Sequence, residues 1–600
     1  MIKFSDRIPA ALIGTAIVLV QPQFAVALTN LVVAQQPTVQ NLINSARIKA
    51  EKGDYQGAIA DYNQALQLSP NNAEVYYLRA NAYYQLENYQ GAIADFNQAI
   101  KINPDYAIAY YNRGLARSNL GDYQGAIADY TQAIQLNPDD AIAYNNRGLA
   151  RSNLGDYEEA IADFAQAIQL NPDDATAYYN RGLARSDLGD YQGAIADYTQ
   201  AIKINPDYAD AYNNRGNARS NLEDYQGAIA DYTQAIQLNP DDAKAYSNRG
   251  AARSDLEDYQ GAIADFNQAI QINPDFAYAY NNRGVARSDL EDYQGAIADF
   301  NQAIQINPDY ANAYYNRGNA RSDLGDDQGA IADFNQAIQL NPDFAYAYYN
   351  RGNARSNLGD YEEAIADFAQ AIQLNPDDAT AYYNRGLARS DLGDDQGAIA
   401  DYNQAIQINP DLAAAYNNRG LARSNLGDDQ GALADYNQAI QINPDLAAAY
   451  NNRGLARSDL GDYQEAIADF NQAIKINPDD ADAYYNRGNA RSNLGDYQGA
   501  IADFTQAIKI NPGDADAYYN RGNARSDLGD YQGAIADYNQ AIKLNPDYAA
   551  AYGNRGLAYR DLGDKPKALE DFRQAATLFQ QQGNTEGYQS IQQIIRQLEP

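Results

Sequence analysis

The sequence contains no cysteine, no histidine and no tryptophan, and its single methionine is the first residue. Without thiolate or imidazole, zinc and copper sites of that kind are excluded, as are Cys- or His-based nucleophilic pairs, disulfides and a lipidated cysteine. Positive charge is scarce as well: 44 Lys and Arg stand against 79 Asp and Glu, a net charge of −35 over 600 residues. Such a chain repels phosphate backbones and anionic lipid surfaces, so nucleic acid is not expected as a partner. No stretch has the D-x-D-x-D-G spacing and distal glutamate of a calcium loop, so no metal and no cofactor are expected.

Long apolar runs are confined to the amino terminus. Lys3 and Arg7 precede an apolar run from Ile8 to Val20, followed by Ala25-Val26-Ala27 and Val32-Val33-Ala34. This charged, apolar and small-residue order predicts a signal peptide over residues 1–34, with the mature chain starting at Leu28 or Gln35 and a linker over 35–38. The run is short for a bilayer about 30 Å thick and carries Pro9, so a membrane is expected only if the segment stays uncleaved as an anchor. Asp6 departs from the charge pattern. The expected location is therefore periplasmic or extracellular, with an inner-membrane anchor as the alternative.

Length alone would suggest about four domains of roughly 150 residues. A single period replaces that expectation. Prolines recur at 70, 104, 138, 172, 206 and onward in steps of 34 to Pro546. Within residues 107–140, Tyr123, Ala126, Ile127, Tyr130, Ala133 and Ile134 are spaced three and four apart, which predicts one apolar helix face, helix B. Upstream, Tyr110, Arg113, Gly114, Arg117 and Leu120 share a stripe of a second helix, helix A. Gly121 suits its left-handed stop, Asp122 is placed to cap helix B, and Asn137-Pro138 ends helix B. Each period is thus a helical hairpin, and the fold class is all-α.

Gly114, Ala126, Tyr130, Ala133 and Pro138 in a 34-residue unit resemble the tetratricopeptide repeat family. The resemblance runs through sixteen units, 39–72, 73–106, 107–140 and so on to 549–582, with a degenerate first and last. It implies a right-handed α-solenoid, a superhelix whose A helices line a concave groove that binds peptides or extended protein segments. A final helix over 583–600, with Tyr588, Ile591, Ile594, Ile595 and Leu598, is expected to cap the array. The end of a solenoid must otherwise expose its core. No room remains for a catalytic domain, and residues this repetitive do not converge on one reactive pocket, so no enzyme is expected. Indeed Ala150–Asp190 recurs letter for letter at Ala354–Asp394.

The family usually has Leu and Tyr where this chain has Arg113 and Arg117, and each unit also carries one aspartate at the edge of helix B. Structural ion pairs are expected between Arg113 and Asp129, Arg147 and Asp163, and Arg181 and Asp197, because a planar guanidinium holds a carboxylate by two hydrogen bonds. The rival reading puts these arginines in the groove to bind acidic ligands. By resemblance, the groove of the third unit is lined by Ile108, Tyr111, Leu115, Ser118 and Asn119. Equivalent positions elsewhere include Tyr179, Asn217, Tyr315, Asn319, Tyr349, Asn353 and Tyr383, and sequence variation between units gathers on this face. Capture of a terminal carboxylate would use Asn112, Asn146 and Asn248, but only Lys244 supplies a matching cation. A neutral-to-basic extended peptide or protein fits an acidic, tyrosine-bearing face better. The expected function is a non-catalytic interaction scaffold; the alternative is a structural or adhesive envelope component with no dedicated soluble partner.

Overall fold

In the computed structural model, residues 38–599 are described, so the expected signal or anchor segment and nearly all of the linker lie outside the described residues. The described residues form 33 helices and no strand. By internal packing the described residues divide into two compact parts, the first ending at Pro240 and the second beginning at Asp241. In the first, hairpins run from Val39–Glu51 with Tyr55–Leu68 to Ala209–Asn221 with Tyr225–Leu238. In the second, they run from Ala243–Asp255 with Tyr259–Ile272 to Ala549–Asp561 with Lys565–Gln581, and Thr585–Leu598 follows. Among the described residues no helix is long and apolar enough to cross a membrane.

One hairpin explains the rest. Helix A, Ala107–Asn119, ends at Leu120, and Gly121 then takes φ 79°, a left-handed angle that glycine adopts without a Cβ clash. Asp122 begins helix B, Tyr123–Leu136, by accepting the Gly125 N–H at 2.9 Å through its carboxylate. Asn137, held extended by Pro138, closes it with φ −137° and ψ 86°. Between the helices, Gly114 lets the backbone approach the Tyr130 ring; a Cβ there would sit 2.7 Å from it. Tyr130 is consequently buried with Ala126 and Ala133. Within each compact part, an A helix packs on its own B helix and on the B helix before it. Successive A helices also touch each other, as Ala73–Gln85 and Ala107–Asn119 do. Thr585–Leu598 buries Ile591 and Ile595 against Phe572 and Ala576 of the last hairpin.

Four hairpins break the turn chemistry. Glu87, Glu223, Glu257 and Glu291 stand where Gly121 stands, at φ 57°, 63°, 61° and 62°. A side chain in that region costs about 1 kcal/mol, part of which glycine would return as extra freedom of the unfolded chain. Glu223→Gly is therefore expected to stabilise its hairpin by about 0.5 kcal/mol or more. Urea unfolding of the full chain followed by hydrogen exchange over 209–238 checks it, and a loss of protection there would count against the strain.

Candidate functional site

The helix B aspartates are the most deeply placed charges. Asp163 is 3% exposed and accepts Arg147 Nε–H at 2.9 Å and Nη2–H at 2.7 Å, with Arg151 Nη1–H on the same carboxylate at 2.7 Å. Asp129 holds Arg113 and Arg117 in the same way, and Asp197 holds Arg181 and Arg185. The guanidinium of Arg113 also lies 5.3 Å from the Tyr110 ring centre, so cation–π attraction adds to the ion pair. These arginines face the interior of the hairpin, which leaves them unavailable to an acidic ligand in the groove.

The same arginines tie neighbouring repeats together, a role the sequence reading missed. Arg113 Nη1–H donates to Asn97 in the preceding helix B at 2.6 Å, and Arg147 does so to Thr131 at 3.1 Å. The signal is the residue after each buried B-helix aromatic. Where it is Ala165, no side-chain acceptor is offered, and Arg181 bonds to Asp197 and lies over the Tyr178 ring.

The A-helix face is less open than expected. Ile108 is exposed at 42%, Leu115 and Ser118 are half-buried, and Asn119 is exposed with its amide donating to Tyr84 Oη at 2.8 Å. Tyr111 is half-buried, its ring 5.8 Å from Tyr130, and its hydroxyl accepts from Asn146 at 2.7 Å. Tyr179 corrects the sequence reading: at 7% exposure it is core, packed on Tyr198 and Tyr208 and bonded by Asn214 at 2.9 Å. Its size and the aromatic residue of the next turn close it off. Tyr315, Tyr349 and Tyr383 likewise accept from Asn350, Asn384 and Asn418 at 3.1, 2.8 and 3.0 Å. Burial raises the pKa of Tyr111, Tyr179, Tyr315 and Tyr383, so these hydroxyls stay neutral.

The asparagines of this face serve the same ladder. Asn319 and Asn353 accept from Asn350 and Asn384 at 2.8 and 3.0 Å, and Asn217 accepts from the Tyr232 hydroxyl at 2.9 Å. Asn112 and Asn146, considered above as carboxylate ligands, donate to Tyr77 and Tyr111 of the preceding repeat. Beside exposed polar residues such as Asn119, Asp210 and Lys244, the face presents apolar ones: Ile108 and Ile142 in the first compact part, and Leu421 and Leu455 in the second, are 42%, 58%, 42% and 38% exposed.

Stacked helical hairpins joined by such a ladder define an α-solenoid repeat protein. A family described as "TPR repeat" matches residues 46–87, 80–121, 151–189, 182–222, 288–325, 318–359, 387–427, 425–461 and 456–495, more than half of the chain. The description "Tetratricopeptide repeat" matches further units, among them 107–140 and 549–582. The chain belongs to the tetratricopeptide repeat family. No curated protein matches it. Among solved structures it is similar to MamA, at 28% identity over 28% of this chain and 96% of that one, with a TM-score of 0.27. It is also similar to YrrB, described as a TPR protein with an unusual peptide-binding site, at 27% identity over 31% and 95%, TM-score 0.28. A tetratricopeptide repeat protein from Parabacteroides merdae is 22% identical over 41% and 98%, TM-score 0.35.

Proposed function

We propose that this protein is a non-catalytic scaffold that holds an extended, neutral-to-basic polypeptide along its A-helix face. Membership of the tetratricopeptide repeat family supports protein interaction in general. The observation that carries the finer reading is the exposure of Ile108, Ile142, Leu421 and Leu455 on the A helices, while buried charges such as Asp129 and Asp163 are matched inside the hairpins. Apolar contact on that face supplies affinity. The surrounding net charge of −35 hastens encounter with a basic partner and rejects nucleic acid. We also propose export, resting on the Lys3–Ala34 pattern; mass spectrometry of the protein from its host should find the chain starting at Leu28 or Gln35.

Binding is tested on exposed residues, because the ladder tyrosines also hold the repeats together. Leu421→Ser with Leu455→Ser is expected to weaken a captured partner about tenfold, the effect of losing two partly exposed apolar contacts. The melting temperature should stay close to that of the parent. Full-strength binding by this variant, and by its counterpart at Ile108 and Ile142, would remove the A-helix face as the site.

A further inference from the structure

The turn before an A helix carries an aromatic residue, an aspartate, an asparagine or a leucine, and an aromatic one stacks over the ladder tyrosine of the preceding A helix. Tyr77, Tyr179, Tyr315 and Tyr519 are roofed by Tyr106, Tyr208, Phe344 and Tyr548, with ring centres 5.1, 4.8, 4.7 and 4.9 Å apart. At Tyr349 the roof is replaced by Asp378, and an open pocket of about 370 Å³ results, lined by Tyr346, Tyr349, Asp377 and Asp378 among others. Tyr346 is 63% exposed at its rim. Asp378 uses Oδ1 to cap the next helix, accepting the Thr380 and Ala381 N–H groups at 2.9 and 3.3 Å. The nearby arginines do not neutralise the pocket: Arg351 and Arg355 are held by Asp367, and Arg385 and Arg389 by Asp401.

The chain contains its own control. Residues 141–190 and 345–394 differ at three positions, Ile142 against Tyr346, Asn145 against Tyr349 and Leu149 against Asn353. All three lie on the same face of helix A, spaced three and four apart. The turn Asp173-Asp174 is therefore identical to Asp377-Asp378 but meets no tyrosine at either of the first two places. Other uncovered tyrosines lack the second ring: Tyr111 with Asp140 has Ile108 beside it, and Tyr485 with Asp514 has Asp482.

From this geometry we infer that the pocket at Tyr346, Tyr349, Asp377 and Asp378 receives a lysine or arginine side chain of an extended polypeptide. It rests on the reading of the array as a peptide-binding scaffold and fixes one contact within it. Two aromatic rings beside two carboxylates attract an organic cation through both cation–π and ionic forces, and the long aliphatic stem of such a side chain packs on the rings. The array already uses this pairing internally, where Arg351 lies 5.4 Å from the Tyr348 ring centre.

The test is calorimetric titration of the full chain at about 0.15 M salt, which screens diffuse attraction to the acidic surface. The probe is a short serine- and alanine-rich peptide with one central lysine, set against its glutamine counterpart. The lysine peptide is expected to show a saturable site that the glutamine peptide fills about tenfold less tightly. Tyr346→Ile with Tyr349→Asn should remove that site while leaving the melt intact, because Ile142 and Asn145 occupy the same surroundings and Asn145 accepts from Asn180 at 3.0 Å. Asp377→Asn should weaken it several-fold. Saturable binding unchanged in the double variant would overturn the pocket while leaving the scaffold reading in place. Equal affinity for both peptides, or no saturable binding of either by the parent protein, would overturn the cation pocket, whereas the scaffold reading falls only with the Leu421, Leu455, Ile108 and Ile142 variants.

Discussion

Replacing Asp129 with alanine is expected to destabilise its hairpin by about 3 to 5 kcal/mol, because it removes the buried carboxylate that two partly buried cations share. The carboxylate is 2% exposed and accepts Arg113 Nε–H at 2.9 Å, Arg113 Nη2–H at 2.5 Å and Arg117 Nη1–H at 2.9 Å. Compensation is limited. Arg117 keeps the Gly125 carbonyl at 3.2 Å and Asp122 at 3.6 Å, but Arg113 keeps only Asn97 and the Tyr110 ring. Arg113→Leu combined with Asp129→Asn should cost much less, since leucine restores apolar packing and the amide oxygen still accepts from Arg117. Repeats interact mainly with their neighbours, so the damage should be local. Hydrogen exchange should rise over 107–136 and stay unchanged over 481–510. If Asp129→Ala behaves like a change at exposed Asp139, the carboxylate does not hold the hairpin.

How far the sequence could be read depends on distance along the chain. The 34-residue period, the hairpin and the all-α class follow from spacings of three and four and from turn residues within one repeat, such as Gly121 and Asp122. Which side chains meet a tyrosine of helix A from the next repeat is set by residues 29 and 35 positions further on. Tyr179 is closed by Tyr208 and Asn214. Tyr349 has the same asparagine bond, from Asn384, but an aspartate at the roof position. A face assigned from helix A alone therefore treats these two tyrosines as equal. The reach of Arg113 back to Asn97 escaped for the same reason, since it joins one repeat to the one before it. The amino-terminal reading lies outside the described residues.

Raising the pH past about 10 is expected to unfold the array in a way that follows the tyrosines. Burial pushes the hydroxyls of Tyr62 and Tyr106 from 10.0 up to about 12, and it pushes Tyr111, Tyr130 and Tyr198 further in the same direction. In the folded chain these protons are held more tightly than in the unfolded one. Their contribution to stability is thus complete below pH 10 and is lost as the pH rises from 10 through 12. For the buried Tyr62 ring, 2% exposed, the loss approaches about 3 kcal/mol at the top of that window. The Arg79–Asp95 pair persists across it, because the Asp95 carboxylate raises the pKa of Arg79 above its ordinary value. The urea midpoint of the full chain should therefore be flat up to about pH 9 and fall steeply above pH 10, with phenolate absorbance appearing together with the loss of helix. Tyr62→Phe should make the fall shallower, as the phenylalanines at the same place, Phe96 and Phe164, do not titrate. Phenolate forming near pH 10 from every tyrosine, while the helices remain intact, would mean that the hydroxyls are open to water and that burial does not govern the alkaline limit.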